Sequence, residues 1–362
     1  MSKSLSIALA TAICNTLGLL LVTCASPKMP ALDGAIVEVR RSDDALQPGE
    51  SGYESTLQLF WFGSSCHVIQ LGDLRVLLDP FVTNELKLSA MRSNPVRVAE
   101  TMGRVAAPDV VLVNHSHHDH ILDGYAAMSL PSWRAKAVPM YGGQSCRNLM
   151  AGWGDEEVLE RCRAVADQGG ALTGLPAGIK VTAYRTRHTP HLKCGFTLAD
   201  GLIEEPMTRP PHKLLDFQSG ETFNYLVEMR TGGKSFTIFY LGAPYHLDEM
   251  PDSLPPAGTR IDVAIMLAPT AKNARGYPQE HLAILRPRHI VLSHFNSFVT
   301  EDPDAQNSIV GIDFVGLADL SRDFQAAFAN ETVSYPEFEK MHIPAITRIE
   351  EDGATRNVIR IR

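Results

Sequence analysis

The sequence offers little for a nucleic acid to hold. Its 362 residues carry 33 Lys and Arg against 41 Asp and Glu, and no basic stretch offsets the formal net charge of −8. Nucleic acid is therefore not expected as the main partner. The six cysteines include no CxxC pair, so a cysteine metal site is not expected either. No tandem repeat or long low-complexity tract is present, which excludes solenoids and arrays. Charge is missing altogether from Leu5–Ala25, which follows a single positive side chain at Lys3. That run reads as a secretory signal peptide and is set apart from the fold.

What is present suits a globular domain, at 44% hydrophobic and 20% charged residues. The apolar run ends in Leu21-Val22-Thr23-Cys24-Ala25-Ser26. This is similar to a bacterial lipobox with Cys24 as the lipidated residue, although Thr23 departs from the small residue usual there. The alternative is an uncleaved anchor helix, since the run is nearly long enough to span a bilayer. Either way the expected location is outside the cytoplasm, periplasmic or membrane-anchored. The membrane is then met only through this terminus, and the sequence leaves the oligomeric state open. Residues 26–54 are rich in Pro, Gly, Ser and charge and read as a linker, which places the folded domain at 55–362. An oxidising compartment permits one disulfide, and loop length favours Cys146–Cys162 over pairs with Cys66 or Cys194.

Periodicity gives strands at Leu57–Phe62, Cys66–Leu71, Leu74–Leu78, Asp109–Val113, Ala135–Met140, Ile179–Arg185, Phe223–Met229, Ser235–Leu241, Ile261–Leu267 and His289–Leu292. Helices are expected at Val96–Val105, Gly143–Gly152, Asp155–Ala166, His281–Leu285 and Leu317–Asn330. The alternation indicates a layered α/β domain. Thr197–Thr222 lacks periodicity and reads as a long loop, expected to act as a lid. The residues after Glu301 are expected to pack on the outside of the domain.

The chemistry is concentrated in Asn114–Asp123, NHSHHDHILD, directly after the apolar run Val110–Val113. In an extended segment His115, His117 and Asp119 point to one side, and His120 turns with the chain into a helix start. Imidazole nitrogens with a carboxylate oxygen suit Zn²⁺, one ion or two, with Fe or Mn as alternatives. A polar loop with incidental histidines is the competing explanation, and so dense a run argues against it.

His-x-His-x-Asp-His after a buried strand resembles the signature of the metallo-β-lactamase superfamily. FGSSCHVIQLGDLRVLLDP is similar to the opening of many members, more so of the lactonase and phospholipase-type branch. The resemblance spans about Leu57 to Phe295 and implies a four-layer αβ/βα sandwich. It also implies a third ligand at His188, with His191 as the fallback, and a last ligand at His294. By position His115, His117 and His188 would form one site, and Asp119, His120 and His294 the other. Asp79 would orient the histidine loop, unless it is only the turn residue before Pro80. At the position aligned with a bridging aspartate this chain has Ala243, so His246 or Asp248 would have to substitute; without one, Asp119 would act as general base, provided that it is not itself a metal ligand. The implied activity is metal-dependent hydrolysis of an ester, lactone or phosphodiester in a small-molecule or lipid-like substrate. A non-catalytic exported metal-binding protein that retains the fold is the alternative.

Overall fold

A computed structural model describes residues 37–39, 44–83, 91–191, 195–268, 273–296, 337–345, 347–349 and 355–362. Leu5–Ala25, Cys24, Cys194 and Leu317–Asn330 lie outside them. Among the described residues no helix is long and apolar enough to cross a membrane.

In chain order the strands are β1 (Val37–Val39), β2 (Leu57–Gly63), β3 (Cys66–Leu71), β4 (Leu74–Leu78), β5 (Val110–Leu112), β6 (Met140–Gly142), β7 (Cys162–Ala164), β8 (Gly169–Ala171) and β9 (Ile179–Thr186). They continue as β10 (Thr222–Thr231), β11 (Lys234–Leu241), β12 (Val263–Leu267), β13 (His289–Ser293), β14 (Lys340–Ile343), β15 (Arg348–Ile349), β16 (Thr355–Arg356) and β17 (Ile359–Ile361). One sheet has the order β17-β2-β3-β4-β5-β6-β7, and a second has β1-β14-β13-β12-β11-β10-β9-β8. The first changes from antiparallel to parallel pairing at β4–β5, where Val76 pairs with Val110. The second changes at β11–β12, where Ile238 pairs with Val263.

Alternation along the strands builds the layers. Leu57 and Leu59 of β2 join Ile238 and Tyr240 of β11 in a core that contains residues of both sheets. Phe60 and Phe62, with the opposite parity, meet Ile121, Trp133 and Leu149 from short helices that cover the first sheet. Phe239 and Leu241 likewise point away from the shared core, toward Leu282 and Leu285 of the helix Gln279–Leu285. The expected αβ/βα sandwich is the observed architecture.

Several boundaries differ from expectation. The stretch 26–54 contributes β1, which pairs in parallel with β14, so it is not wholly a linker. The C-terminal segment does not simply pack outside, because β14 enters the second sheet and β17 closes an edge of the first against β2. The helix expected at Val96–Val105 is Pro95–Thr101, with the Asn94 side chain accepting from the Arg97 amide as its N-cap. Asp155–Ala166 is helical only to Arg161, since Cys162 turns extended and pairs with Met140. Ala135 ends a helix begun at Pro131, which leaves only Met140–Gly142 as strand. The expected Cys146–Cys162 disulfide is absent: both are free buried thiols, and the Cys162 thiol donates to the Val158 carbonyl instead.

Candidate metal centre

The ligand-rich loop leaves the C-terminal end of β5, at the point where its strand is buried on both faces. Asp79 fixes the loop from below. It adopts a left-handed backbone (φ 47°), which a short polar side chain tolerates, and its Oδ1 accepts the Asn114 amide at 2.7 Å. Its Oδ2 accepts from His120 Nδ1 at 2.6 Å and from the Tyr240 hydroxyl. Asp79 is fully buried, so these bonds are what make its charge tolerable there.

The structure brings His115, His117 and His188 into one group and Asp119, His120 and His294 into another, with ligand atoms within 4.8 Å of one another in each. His188 follows the end of β9, and His294 follows the end of β13. The first sheet therefore supplies two members of each group and the second sheet supplies the third. The rings of His115 and His120 lie 3.9 Å apart, so the two groups adjoin.

The first group fits a cation on its own hydrogen bonding. His115 Nδ1 lies 2.7 Å from Asn114 Oδ1, whose amide nitrogen is spent on the Phe223 carbonyl. His117 Nε2 lies 3.2 Å from the Ala199 carbonyl. Both partners only accept, so His115 must donate from Nδ1 and His117 from Nε2. The remaining nitrogens, His115 Nε2 and His117 Nδ1, then turn two lone pairs toward each other at 3.0 Å. That arrangement is repulsive unless a cation lies between them. His188 Nδ1 is also buried without a hydrogen bond.

Protonation states agree. Burial first, and then the neighbouring imidazoles, hold His115 and His188 well below the usual histidine range. Burial lowers His117 to about 3 despite the opposing charge of Asp119. Neutral imidazole is the form that ligates metals. Burial would raise the Asp119 carboxyl, but the charges of His118, His120 and His294, with the hydrogen bond from His294, hold it well below the carboxylate range. Asp119 Oδ2 lies 3.1 Å from His294 Nε2, while Oδ1 is buried with no hydrogen bond. At His120 burial is outweighed by Asp79, which raises that ring.

The turn Gly63-Ser64-Ser65 carries more than a strand break. Ser64 and Ser65 both donate to the Asp119 carbonyl, at 3.3 and 3.1 Å, and the Ser64 carbonyl accepts the His294 amide at 2.9 Å. Ser64 (φ 45°) and His294 (φ 63°) share the left-handed backbone of Asp79. Three non-glycine residues in this region around one group mark stored strain, about 1–3 kcal/mol each. Only the paired serines in a tight turn could have signalled this role in the sequence.

Ala243 is buried after β11, its amide donating to Asn224 Oδ1 at 3.2 Å. His246 and Asp248 do not substitute for a bridging carboxylate. His246 Nδ1 accepts the Arg275 amide, and Asp248 pairs with the Arg275 side chain at 3.0 Å on the surface. Among the described residues no carboxylate belongs to both groups. The loop expected as a lid is hydrogen-bonded to the ligand loop and to the neighbouring helix. The Gln218 and Ser219 carbonyls accept from Ser116, and Asn148 holds the Ile203 and Glu204 carbonyls. His118 is packed edge-on to Phe81 and Phe217.

The family model for the β-lactamase superfamily domain matches residues 58–285. A metal-dependent hydrolase of the UPF0173 group from Pyrobaculum calidifontis is 24% identical over 255 residues, covering 68% of this chain and 89% of the relative. One from Cupriavidus necator is 25% identical over 243 residues, 67% of this chain and 69% of the relative. A shorter match, 29% over 104 residues, covers 28% of this chain and 21% of a yeast N-acyl-phosphatidylethanolamine-hydrolyzing phospholipase D. Among solved structures, the metallo hydrolase Igni18 from Ignicoccus hospitalis aligns with a TM-score of 0.45 at 15% identity, over 85% of this chain and all of that one. The chain belongs to the metallo-β-lactamase superfamily and is a metal-dependent hydrolase of that superfamily.

Proposed function

We propose that the protein hydrolyses an ester, lactone or phosphodiester bond in a small-molecule or lipid-like substrate, with zinc as its metal and iron or manganese as the alternatives. The observation that carries this reading is the convergence of six donors from three distant segments into two adjoining groups of three. Three protein donors leave a coordination position open. A divalent cation held there would supply a water whose pKa falls from about 15.7 to about 7, and an electrophile for the oxygen that gains charge. His115, His117 and His188 would hold one ion, and Asp119, His120 and His294 the other. Asp119 is a ligand of the second ion where that ion is bound, and would be the general base toward the attacking water only where it is not a ligand. Asp79 keeps His120 in the tautomer that presents Nε2 to the site. The partial match to a phospholipase D supports the phosphodiester among these bonds.

The test is turnover by the zinc-loaded chain of bis(4-nitrophenyl) phosphate, 4-nitrophenyl acetate and γ-butyrolactone. Hydrolysis of at least one, abolished by a chelator and restored by zinc, is expected. A chain that holds zinc and hydrolyses none of the three contradicts the assignment of bond class. The uncharged run Leu5–Ala25 supports export, with Cys24 as the point of lipid attachment. Palmitate labelling that survives in Cys24→Ala would rule out that attachment.

A further inference from the structure

His191 stands beside the first group without belonging to it. Its ring stacks on His188 at 4.8 Å, nearly parallel at 24°, and lies 5.9 Å from the ring of His117. The segment around it is clamped. Asn273 Nδ2 donates to the carbonyls of Pro190 and His191 at 2.8 and 3.0 Å, and the Thr189 hydroxyl donates to the Pro244 carbonyl. The His191 amide donates to the Phe196 carbonyl at 2.8 Å. The Leu198 amide in turn donates to His191 Nδ1 at 3.0 Å.

This last bond fixes the chemistry of the ring. A nitrogen that accepts from a backbone N–H carries no proton, so the neutral imidazole bears its hydrogen on Nε2. Nε2 makes no hydrogen bond among the described residues, and the ring is partly buried rather than sealed. The loop Phe196–Ala199 thus does two things: its Ala199 carbonyl sets the tautomer of His117, and its Leu198 amide sets that of His191. One ring is left with a lone pair toward the first group, the other with an unspent N–H next to it.

We propose that His191 is a catalytic residue whose Nε2–H donates a hydrogen bond to the substrate oxygen that gains negative charge as water adds. The proposal rests on the hydrolytic reading above and extends it to a residue outside both groups of donors. A donor fixed in advance, in a site from which water is partly excluded, stabilises developing charge without reorganising at the moment of reaction. Its occupant is a tetrahedral or phosphoryl oxyanion, and inorganic phosphate is the minimal probe of it.

The test uses the full chain loaded with zinc, as wild type, His191→Ala and His191→Gln. Glutamine keeps an N–H donor of similar reach, so it also covers the case in which the alanine variant fails to fold. Zinc content is expected to be the same in all three. Phosphate affinity by calorimetry should fall about 10- to 100-fold in His191→Ala, as for loss of a hydrogen bond to a charged group. The kcat on bis(4-nitrophenyl) phosphate should fall about 10²- to 10³-fold, with KM changed far less and part of the loss recovered in His191→Gln. Loss of zinc in His191→Gln would make the residue a ligand and overturn the proposal, as would unchanged phosphate affinity and turnover in His191→Ala. If the wild type binds zinc and phosphate but hydrolyses no probe, the bond assignment fails separately, and the phosphate arm still decides the role of His191.

Discussion

The two groups of three donors are built differently, although one loop supplies two members of each. His115, His117 and His188 are three neutral imidazoles, oriented by uncharged partners: the Asn114 side chain and the Ala199 carbonyl. Asp119, His120 and His294 include one carboxylate and are backed by a second, Asp79, behind His120. The second group therefore has one carboxylate among its donors and another behind them, and the first has neither, although the charge of Asp119 still reaches His117. Softer imidazole-only donation favours zinc, whereas added carboxylate favours harder ions such as manganese or iron(II). The second group has left-handed backbone at a member, His294, and at Ser64 and Asp79 behind it, whereas the first has it only behind a ligand, at Ala199. Placement in one loop does not make the two sites equivalent; the residues behind the ligands distinguish them.

Removing a ligand should separate the sites most sharply. His188→Ala is expected to lose one metal equivalent and on the order of 10³-fold in kcat, several kcal/mol of transition-state stabilisation, while the second group keeps its ion. Equilibrium dialysis with zinc reads this directly, and loss of both ions in the single variant would break the comparison.

A pH term beside the second group comes next in size. His67 is fully buried, and burial lowers it to about 4 against the opposing effects of the Ser65 carbonyl and Asp79. Between about pH 6.5 and 4 the unfolded chain binds a proton there that the folded chain does not. Stability therefore rises with pH through this window and is lost as pH falls through it, by about 3 kcal/mol. Denaturant unfolding of His67→Phe should show a shallower pH dependence than wild type across that range. Parallel curves would show that the ring is not held neutral.

The residues behind the ligands give the smaller effects. Asp79→Asn removes the charge behind His120 and should weaken the second site 10- to 100-fold for metal, with the first site nearly unchanged. Asn114→Ala removes a neutral acceptor behind His115 and should weaken the first site by about tenfold, the lower end of the same range. Competitive titration with a chromophoric chelator measures both. Equal losses at both sites in either variant would mean that the groups act as one.

The sequence made the local half of this site legible. His115, His117, Asp119 and His120 are close along the chain, and alternation with a turn into a helix was enough to assign their sides. Asp79, His188 and His294 came from resemblance, because nothing in a lone histidine at a strand end says where that end points. Pairing across two sheets decides it. The layers followed from alternation in β2, β11 and β12, but the edges did not. β1 and β17 are three residues each, too short for a periodic signal, and their place depends on partners more than 200 residues away. The disulfide inferred from loop length is not formed: Cys146 and Cys162 are free thiols within one core cluster, and Cys162 donates to the Val158 carbonyl. Ser64 and Ser65 went unread because hydroxyls in a turn have many uses, and only the fold shows that both hold the Asp119 carbonyl.

The proposed two-ion centre gives each adjoining group its own ion; among the described residues no carboxylate belongs to both groups. Metal content per chain by elemental analysis, for wild type and an Asp119→Ala, His120→Ala double variant at saturating zinc, tests it most directly. Two ions per wild-type chain, falling to one in the double variant, is the predicted result. No tightly bound ion in the wild type, or a double variant that keeps two, would contradict it.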